Sequence, residues 1–333
     1  MVRYLFIVCL VVTCFANDAK GQILDSLYYN YDSSYYISHD HKLAGRFFFS
    51  QKYTAFRFYD RTDKVTLNYL PNTTLNMGIG GTYKWATLNL AFGFPFLNPN
   101  QKKGDTKYLD LQCHLYGRRF VIDAFGQFYS GFYLRNKSLR DVNGDYYDRP
   151  DIKINQIGVS AQYMLNYKRF SYRAGFLQNE WQKKSAGTVL VGLHFVLGRG
   201  EADSTLIPSA ISNVPTEPQR QELLFIDMGP SIGYAYTLVI DKHFFIMGSA
   251  TAILTAGRTQ ITGAETERSS TFLPNFSVKA FAGYNSKEWA ISATWTNDTV
   301  IISANENDQT FSLSTGNVRL NFVKRFRLRN MPF

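Results

Sequence analysis

Hydrophobic and polar residues alternate along most of the chain, from about residue 46 to the end. Leu109 and Leu111, for example, alternate with Asp110 and Gln112. Such a period of two places successive side chains on opposite faces of a β-strand, and no stretch with a helical period competes with it. The clearest alternating segments are residues 86–94, 108–115, 154–167 and 276–284. The pattern therefore predicts an all-β protein.

One face of these strands is apolar and the other is rich in Gly, Ser, Asn and Gln. The strands are roughly 10 to 16 residues long, against about 5 to 6 in ordinary sheets. Aromatic residues gather near their ends, and the tail at 318–326 is an amphipathic segment followed by a final Phe333. These features favour a transmembrane barrel over a soluble sandwich. We predict a single antiparallel β-barrel over residues 46–333, with about 12 strands and a range of 10–14.

The predicted connections fall into tight turns and longer polar loops. Tight turns are expected near residues 84–85, 117–118, 168–169, 241–242 and 286–287, and long loops at 95–105, 136–151, 199–221, 257–271 and 303–309. Bacterial barrels place short turns in the periplasm and long loops outside. If the tight turns are assigned to the periplasm, counting strands from the N-terminus and from the C-terminus gives opposite strand directions between residues 180 and 221. The predicted set of strands therefore has one strand too many or too few in that stretch.

Composition fits a barrel better than a helical membrane protein. Aromatic residues make up 16 % and charged residues 19 % of the 333 residues, and mean hydropathy is −0.21. The formal net charge is +10, for which attraction to anionic lipid head groups is a simple explanation. Because no recognition motif for nucleic acid accompanies this charge, we expect no nucleic-acid partner.

The first 21 residues are typical of an export signal. A positive Arg3 precedes a 12-residue apolar run, and Ala19 and Gly21 fit a cleavage site before Gln22. Cleavage would leave Cys113 as the single cysteine, so we expect no disulfide bond. Residues 22–45 are rich in Tyr, Ser and Asp, and we interpret them as a periplasmic extension or a plug in the barrel mouth. The predicted location is the outer membrane of a Gram-negative bacterium.

Several motifs resemble one family of Bacteroidota outer-membrane proteins of unknown function. The segments that carry the resemblance are FFFSQKYTAF (47–56), NYLPNTTLNMGIGGTYKW (68–85), KGDTKYLDLQ (103–112), YYDRPDI (146–152) and FLQNEWQKKSAG (176–187). The resemblance covers most of the predicted mature chain and implies a barrel of about this length. It implies no activity, substrate or catalytic residue.

Polar side chains on the predicted inner face form the candidate site. They are Asp110, Gln112, His114, Asp123, Gln127, Arg173 on a predicted strand 170–180, and Lys279. The interpretation we favour is structural, because charges inside a small barrel need partners. Two alternatives stay open. The network could set the selectivity of a pore, or His114 could act as a base oriented by Asp110 or Asp123, with Ser160 as a guessed nucleophile.

Two other segments suggest metal binding only weakly. The loop 141–151 begins like a calcium loop, but Tyr146 and Ile152 replace the glycine and the acid that such loops need. His39 and His41 would need a third ligand from another element. We therefore expect no metal, no cofactor and no assigned catalytic residue.

Three functions remain open for the predicted barrel. The first is a narrow channel or transport-related protein, which the polar inner face favours. The second is an enzyme that modifies lipid or lipopolysaccharide. The third is a scaffold that uses residues 22–45 to bind an envelope protein. The expected partners are outer-membrane lipid, lipopolysaccharide and the barrel-assembly machinery, and the expected state is a monomer.

Overall fold

A computed structural model describes residues 31–60, 64–84, 86–99, 103–136, 144–204, 221–263, 266–304 and 309–327. The predicted leader at 1–21 and part of the calcium-like loop, Asp141 and Asn143, lie outside these residues. Among the described residues, no helix is long and apolar enough to cross a membrane.

The described chain forms fifteen β-strands and one five-residue α-helix. The strands are β1 Tyr36–Ser38, β2 Lys42–Asp60, β3 Val65–Leu70, β4 Leu75–Tyr83, β5 Ala86–Phe92, β6 Lys107–Tyr116, β7 Phe120–Leu134, β8 Tyr147–Met164, β9 Glu180–Gln182, β10 Ala186–Ala202, β11 Gln221–Ile240, β12 Phe244–Thr262, β13 Thr266–Asn285, β14 Trp289–Ala304 and β15 Gln309–Arg327. The helix, α1, is Tyr172–Phe176.

Ten antiparallel strands close into a barrel. The ring is β2, β3, β7, β8 and β10 to β15, and it closes because β15 pairs with β2. This number lies within the predicted range. Lys42 of β2 faces Arg327 of β15 at one end of the barrel, which we call the terminus end. The opposite end, where Asp60 faces Gln309, is the loop end.

The strands β4, β5 and β6 belong to one side of the barrel. β3 pairs with the loop-end part of β2, and β4 pairs with its terminus-end part. β5 pairs with β4, and β6 pairs with β7. Because β5 and β6 do not pair with each other, the wall between them has no backbone ladder.

The predicted alternation is confirmed along the wall. Leu109 and Leu111 of β6 are exposed on the outside, whereas Asp110 and Gln112 between them are less exposed. The outer surface carries a belt of exposed apolar side chains, among them Leu88, Leu193, Ile232, Phe272 and Leu320, each at least half exposed.

The predicted strand at 170–180 is wrong. Ser171 caps the first turn of α1, because its hydroxyl accepts a hydrogen bond from the Ala174 amide at 3.0 Å. β9 follows α1 and pairs with β1, so the stretch 165–185 folds inward at the terminus end. With this strand removed, the turns counted from both chain ends agree, and the predicted tight turns at 84–85, 117–118, 241–242 and 286–287 all lie at the terminus end. The predicted long loop 257–271 is wrong, because β12 extends to Thr262 and β13 begins at Thr266.

Two apolar clusters fill the two ends of the barrel interior. The loop-end plug consists of buried residues from the loop-end halves of the strands, including Phe56, Phe58, Leu67, Tyr69, Phe132, Ile152, Val196, Phe225, Val300 and Phe311. The terminus-end plug packs around α1 and includes Tyr116, Met164, Phe170, Tyr172, Leu177, Leu190, Phe245, Met247 and Phe281. Polar side chains line the middle of the barrel between the two clusters, and further buried polar residues, among them Arg173, Glu180 and Arg325, lie beside the terminus-end plug.

Candidate functional site: a polar chamber between two plugs

A three-residue charged cluster crosses the middle of the barrel. His114 and Asp123 are direct partners in the β6–β7 ladder, and their Nδ1 and Oδ1 atoms lie 2.6 Å apart. Lys279 reaches across from β13 and donates to Asp123 Oδ2 at 2.5 Å. Tyr116 adds a third bond, because its hydroxyl donates to Asp123 Oδ1 at 2.6 Å. One carboxylate is thus surrounded by three groups, which is how a buried charge avoids the cost of desolvation.

A second cluster surrounds Asp110. Lys52 on β2 donates to Asp110 Oδ1 at 2.7 Å, and Gln127 on β7 donates to Oδ2 at 3.0 Å. Tyr129 donates to the same oxygen at 2.8 Å, and Gln156 extends the chain by donating to Gln127 at 2.6 Å. The predicted residues Asp110 and Gln127 are therefore joined in one network.

Two small adjoining cavities, of about 20 Å³ and about 40 Å³, lie beside these clusters. Both are lined by Gln112, His114 and Thr296. Asp123 and Lys279 line the larger one, and Arg319 lines the smaller. We call the two cavities together the chamber. It lies between the loop-end plug and the terminus-end plug.

Arg173 is not part of the chamber network. On α1 at the terminus end, its Nη2 lies 2.6 Å from Asp40 Oδ1 and its Nη1 lies 3.3 Å from Glu180 Oε1. Arg118, in the turn between β6 and β7, lies 3.3 Å from Asp40 Oδ2 and 3.5 Å from Glu180 Oε1. These two arginines and two carboxylates fix β1, α1 and β9 in the barrel mouth.

Sequence reasoning missed two arginines near the chamber. Arg46 on β2 donates to Asn89 on β5 at 3.1 Å and to the Leu177 carbonyl at 2.5 Å. Arg319 on β15 stacks over the Phe48 ring, with its guanidinium carbon 4.4 Å from the ring centroid. The alternation of β2 could have revealed Arg46, because it shares the inward face with Phe48 and Ser50.

The geometry gives no complete catalytic set. Among the described hydroxyl groups, only Tyr116 forms a hydrogen bond with the His114 ring, at 3.3 Å. The guessed nucleophile Ser160 is the register partner of Asp123 on β8. Within the described part of the chain, no three His, Cys, Asp or Glu side chains come together as a metal site. The chamber therefore offers hydrogen-bond donors and acceptors to a polar group, without a complete catalytic set.

Comparison with solved structures finds barrels of low similarity. The outer membrane protease OmpT of Escherichia coli has 11 % identity and a TM-score of 0.40, with 86 % of this chain and 97 % of that chain covered. The toluene transporter TodX of Pseudomonas putida has 6 % identity and a TM-score of 0.26, with 86 % and 91 % covered. OmpT of Vibrio cholerae has 10 % identity and a TM-score of 0.27, with 85 % and 97 % covered.

None of the curated proteins matches the chain. A family described only as a domain of unknown function matches residues 30–326. That match includes every strand of the barrel and every residue of the chamber. The chain therefore belongs to the DUF4421 family of proteins with a domain of unknown function.

Proposed function

We propose that this protein spans the outer membrane and moves a small polar-headed molecule through a chamber that is closed at rest. The apolar belt on the outside of the barrel supports the membrane location, because a soluble protein seldom exposes so large an apolar surface. The terminus end, with its tight turns, would then face the periplasm, and the loop end would face outside. Lipid and lipopolysaccharide would contact the belt of a single chain.

The observation that carries the proposal is the polar chamber between two apolar plugs. A structural network alone needs no cavity, yet two cavities adjoin the His114, Asp123 and Lys279 cluster. A static pore needs a continuous open path, and buried side chains fill the barrel at both ends. A chamber with gated access fits both facts.

Conductance in planar bilayers tests the closed state. We expect wild-type protein to give no steady current. A variant in which Phe56, Phe311, Met247 and Phe281 are replaced by Ala thins both plugs and should give steady single-channel steps. Adding Lys279→Gln to that variant should shift its ion selectivity, whereas Leu193→Ala on the outside should not.

Either of two results would contradict the proposal. Steady steps from the wild type would show an open pore. A thinned variant that is folded, as judged by heat-modifiable migration, but carries no current would show that the plugs do not close the path.

The His114–Asp123 contact of 2.6 Å favours a second candidate, a lipid-modifying enzyme. In that role His114 would act as the base and Asp123 would orient its ring. His114→Ala in cells that express the protein should then change the lipid A profile. An unchanged profile would leave transport as the better proposal.

A further inference from the structure

The unpaired stretch of wall between β5 and β6 is bounded by side-chain contacts at both of its ends. We call this stretch the window. At its loop-end margin, the Thr74 and Tyr108 hydroxyls lie 2.7 Å apart, and the Asn72 amide donates to Thr106 at 2.8 Å. Between these contacts and the terminus-end turns, β5 pairs only with β4 and β6 pairs only with β7.

The terminus-end margin of the window is fixed by the residues in the barrel mouth. Arg173 donates to the Lys84 carbonyl, in the turn before β5, at 2.6 Å. The same arginine pairs with Asp40, which also pairs with Arg118 in the turn after β6. The two turns on either side of the window are therefore linked through one carboxylate.

The outer rim of this window is apolar and its inner rim is polar. Leu88, Leu90 and Phe92 of β5 are exposed on the outside, as are Leu109 and Leu111 of β6. Inside, Gln112 and His114 of β6 line the chamber. The unpaired stretch thus lies between an apolar outer surface and polar residues that line the chamber.

Unpaired backbone groups have a high cost in hydrocarbon, several kcal/mol each, so open sheet edges do not face lipid alone. One such group has a partner within the protein, because Lys52 donates to the Asp110 carbonyl at 3.1 Å. Unpaired groups that lack such a partner need polar groups of a ligand or water. An amphiphile meets this need, because its head group enters the polar interior and its chain stays against the apolar rim.

The charges near the window favour an anionic head group. The Nε atoms of Arg46 and Arg319 are buried without a hydrogen-bond partner. Among the described residues, neither guanidinium forms an ion pair, in contrast to Lys52 and Lys279. A carboxylate or phosphate would supply the missing partner, and arginine binds such groups with strong charge-assisted hydrogen bonds.

We propose that the gap between β5 and β6 is a side entrance through which a single-chain anionic amphiphile passes from the membrane into the chamber, with its head group bound by Arg319 and Arg46. This inference rests on the proposed transport function and names its substrate class and route. Arg46 also donates to Asn89 on β5, so binding there would be linked to the position of β5.

The native Cys113 allows the entrance to be closed. It is exposed on the outer face of β6. The Thr74–Tyr108 contact and the β4–β5 register together place Leu90 near the level of Cys113 across the gap. Leu90→Cys is therefore the first choice for a reversible disulfide with Cys113, which forms where the two Cα atoms come within about 7 Å. Leu88→Cys and Phe92→Cys are the neighbouring choices, and where none forms a direct disulfide, a bis-methanethiosulfonate crosslinker that a reductant releases joins the two thiols instead.

Ala124→Cys is the matched control. Ala124 is the register partner of Cys113 on β7, so its disulfide joins strands that are already paired and leaves the gap untouched. The probe is dansyl-undecanoate, added to protein in phosphatidylcholine nanodiscs. Wild type and the oxidised control should bind it with equal affinity, and oxidised Leu90→Cys should lose binding until it is reduced.

The head-group site is tested with the same probe. Arg319→Gln should weaken binding about tenfold or more, because a charge-assisted hydrogen bond contributes about 1.5–3 kcal/mol. The uncharged methyl ester of the probe should bind weakly to every variant. Ser314→Ala, outside the chamber lining on the same strand, should leave affinity unchanged.

Three results would overturn the side entrance. One is full binding to the oxidised Leu90→Cys protein. Another is displacement of the probe by inorganic phosphate that itself binds the oxidised protein, which would indicate a free anion arriving from water. The third is a covalent dimer through Cys113, which would indicate that the edges pair with a second copy. In each case the conductance of the plug-thinned variant still tests transport separately.

Discussion

The two sides of this barrel differ in how their walls are held together. From β10 to β15 every neighbouring pair is joined by a long antiparallel ladder, and the β12–β13 ladder runs from Phe244 paired with Tyr284 to Thr262 paired with Thr266. On the other side, β3 meets β7 through only two residue pairs, and β5 and β6 meet through none. The continuous wall therefore has most of the backbone ladder, and the interrupted wall is the one through which we propose access.

Chain interruptions explain the difference. The continuous side consists of strands of 16 to 20 residues joined by tight turns at the terminus end. On the other side, Pro71 ends β3, and Pro95 with Gly104 separates β5 from β6. Proline alone does not end a ladder in this barrel, because Pro230 and Pro274 lie inside β11 and β13 of the continuous wall. The interrupted wall differs in that β3 to β6 are only 6 to 10 residues long.

The largest expected effect comes from breaking the contact that joins the two sides, the Lys279–Asp123 ion pair. Lys279→Ala removes the lysine partner of the Asp123 carboxylate, which keeps only His114 and Tyr116, and should lower the free energy of unfolding by about 3–5 kcal/mol. Urea unfolding of the refolded barrel in detergent measures this loss. The double variant Asp123→Asn with Lys279→Gln removes both charges. Its loss in the free energy of unfolding should be smaller than that of Lys279→Ala or of Asp123→Asn alone. Equal losses for single and double variants would contradict the pairing.

The next largest effect is expected from a charge placed on the outer surface, which should destabilise the two walls by different amounts. Ile232→Arg, on β11 in the continuous wall, should cost about 2–4 kcal/mol in lipid. Leu90→Arg, at the gap, should cost about 1 kcal/mol or less because the guanidinium can reach water through the opening. Unfolding in lipid vesicles compares them, and similar losses would show that the gap is closed to water.

A smaller loss is expected for the hydrogen bond that ties β5 to the barrel. Asn89→Ala removes the acceptor of Arg46 and leaves a buried charged donor with one fewer partner, at a cost of about 1–3 kcal/mol. The midpoint of thermal unfolding measures it. Asn155→Ala on the outer face of β8 is the control, and an equal shift for both would argue against the Arg46 contact.

The smallest effect concerns the mouth of the barrel and depends on pH. Burial, together with the positive charge of Arg325, lowers the pKa of His39 to about 3, against about 6.5 in an unfolded chain. Below about pH 6, His39 is therefore protonated in the unfolded state but stays neutral in the folded state. The free energy of unfolding then falls as the pH falls toward 3. Between pH 7 and pH 5 we expect a loss of about 1–2 kcal/mol. The loss is measured as the change in urea midpoint. It should be absent from His39→Gln.

Period-two alternation predicted the strands and their inward side chains well. It placed Asp110, Gln112 and His114 on one face of β6, and Lys279 on the inward face of β13, where the structure has them. It could not predict that Lys279 meets Asp123, since that contact depends on the order and stagger of strands far apart in sequence. For the same reason, the sequence could not predict the contact between Lys52 and Asp110, which are 58 residues apart.

The prediction of a strand at 170–180 was wrong for a different reason. Arg173 was expected on a wall strand, but the segment turns inward as α1 because Ser171 caps it and Phe170 and Tyr172 are buried in the terminus-end plug. A serine followed by a short apolar run is a weak signal beside long alternating strands. The gap between β5 and β6 was equally hidden, because alternation reports which face a side chain occupies and not whether a strand edge is paired.

Backbone hydrogen exchange of the protein in nanodiscs tests the difference between the walls most directly. The account predicts rapid exchange at the amides of β5 and β6 that point into the gap, with slow exchange at their other amides and throughout β12 and β13. Oxidation of Leu90→Cys with Cys113 should slow the rapid set. Slow exchange at all amides of β5 and β6 in the wild type would show that the two edges are paired, and would contradict the account.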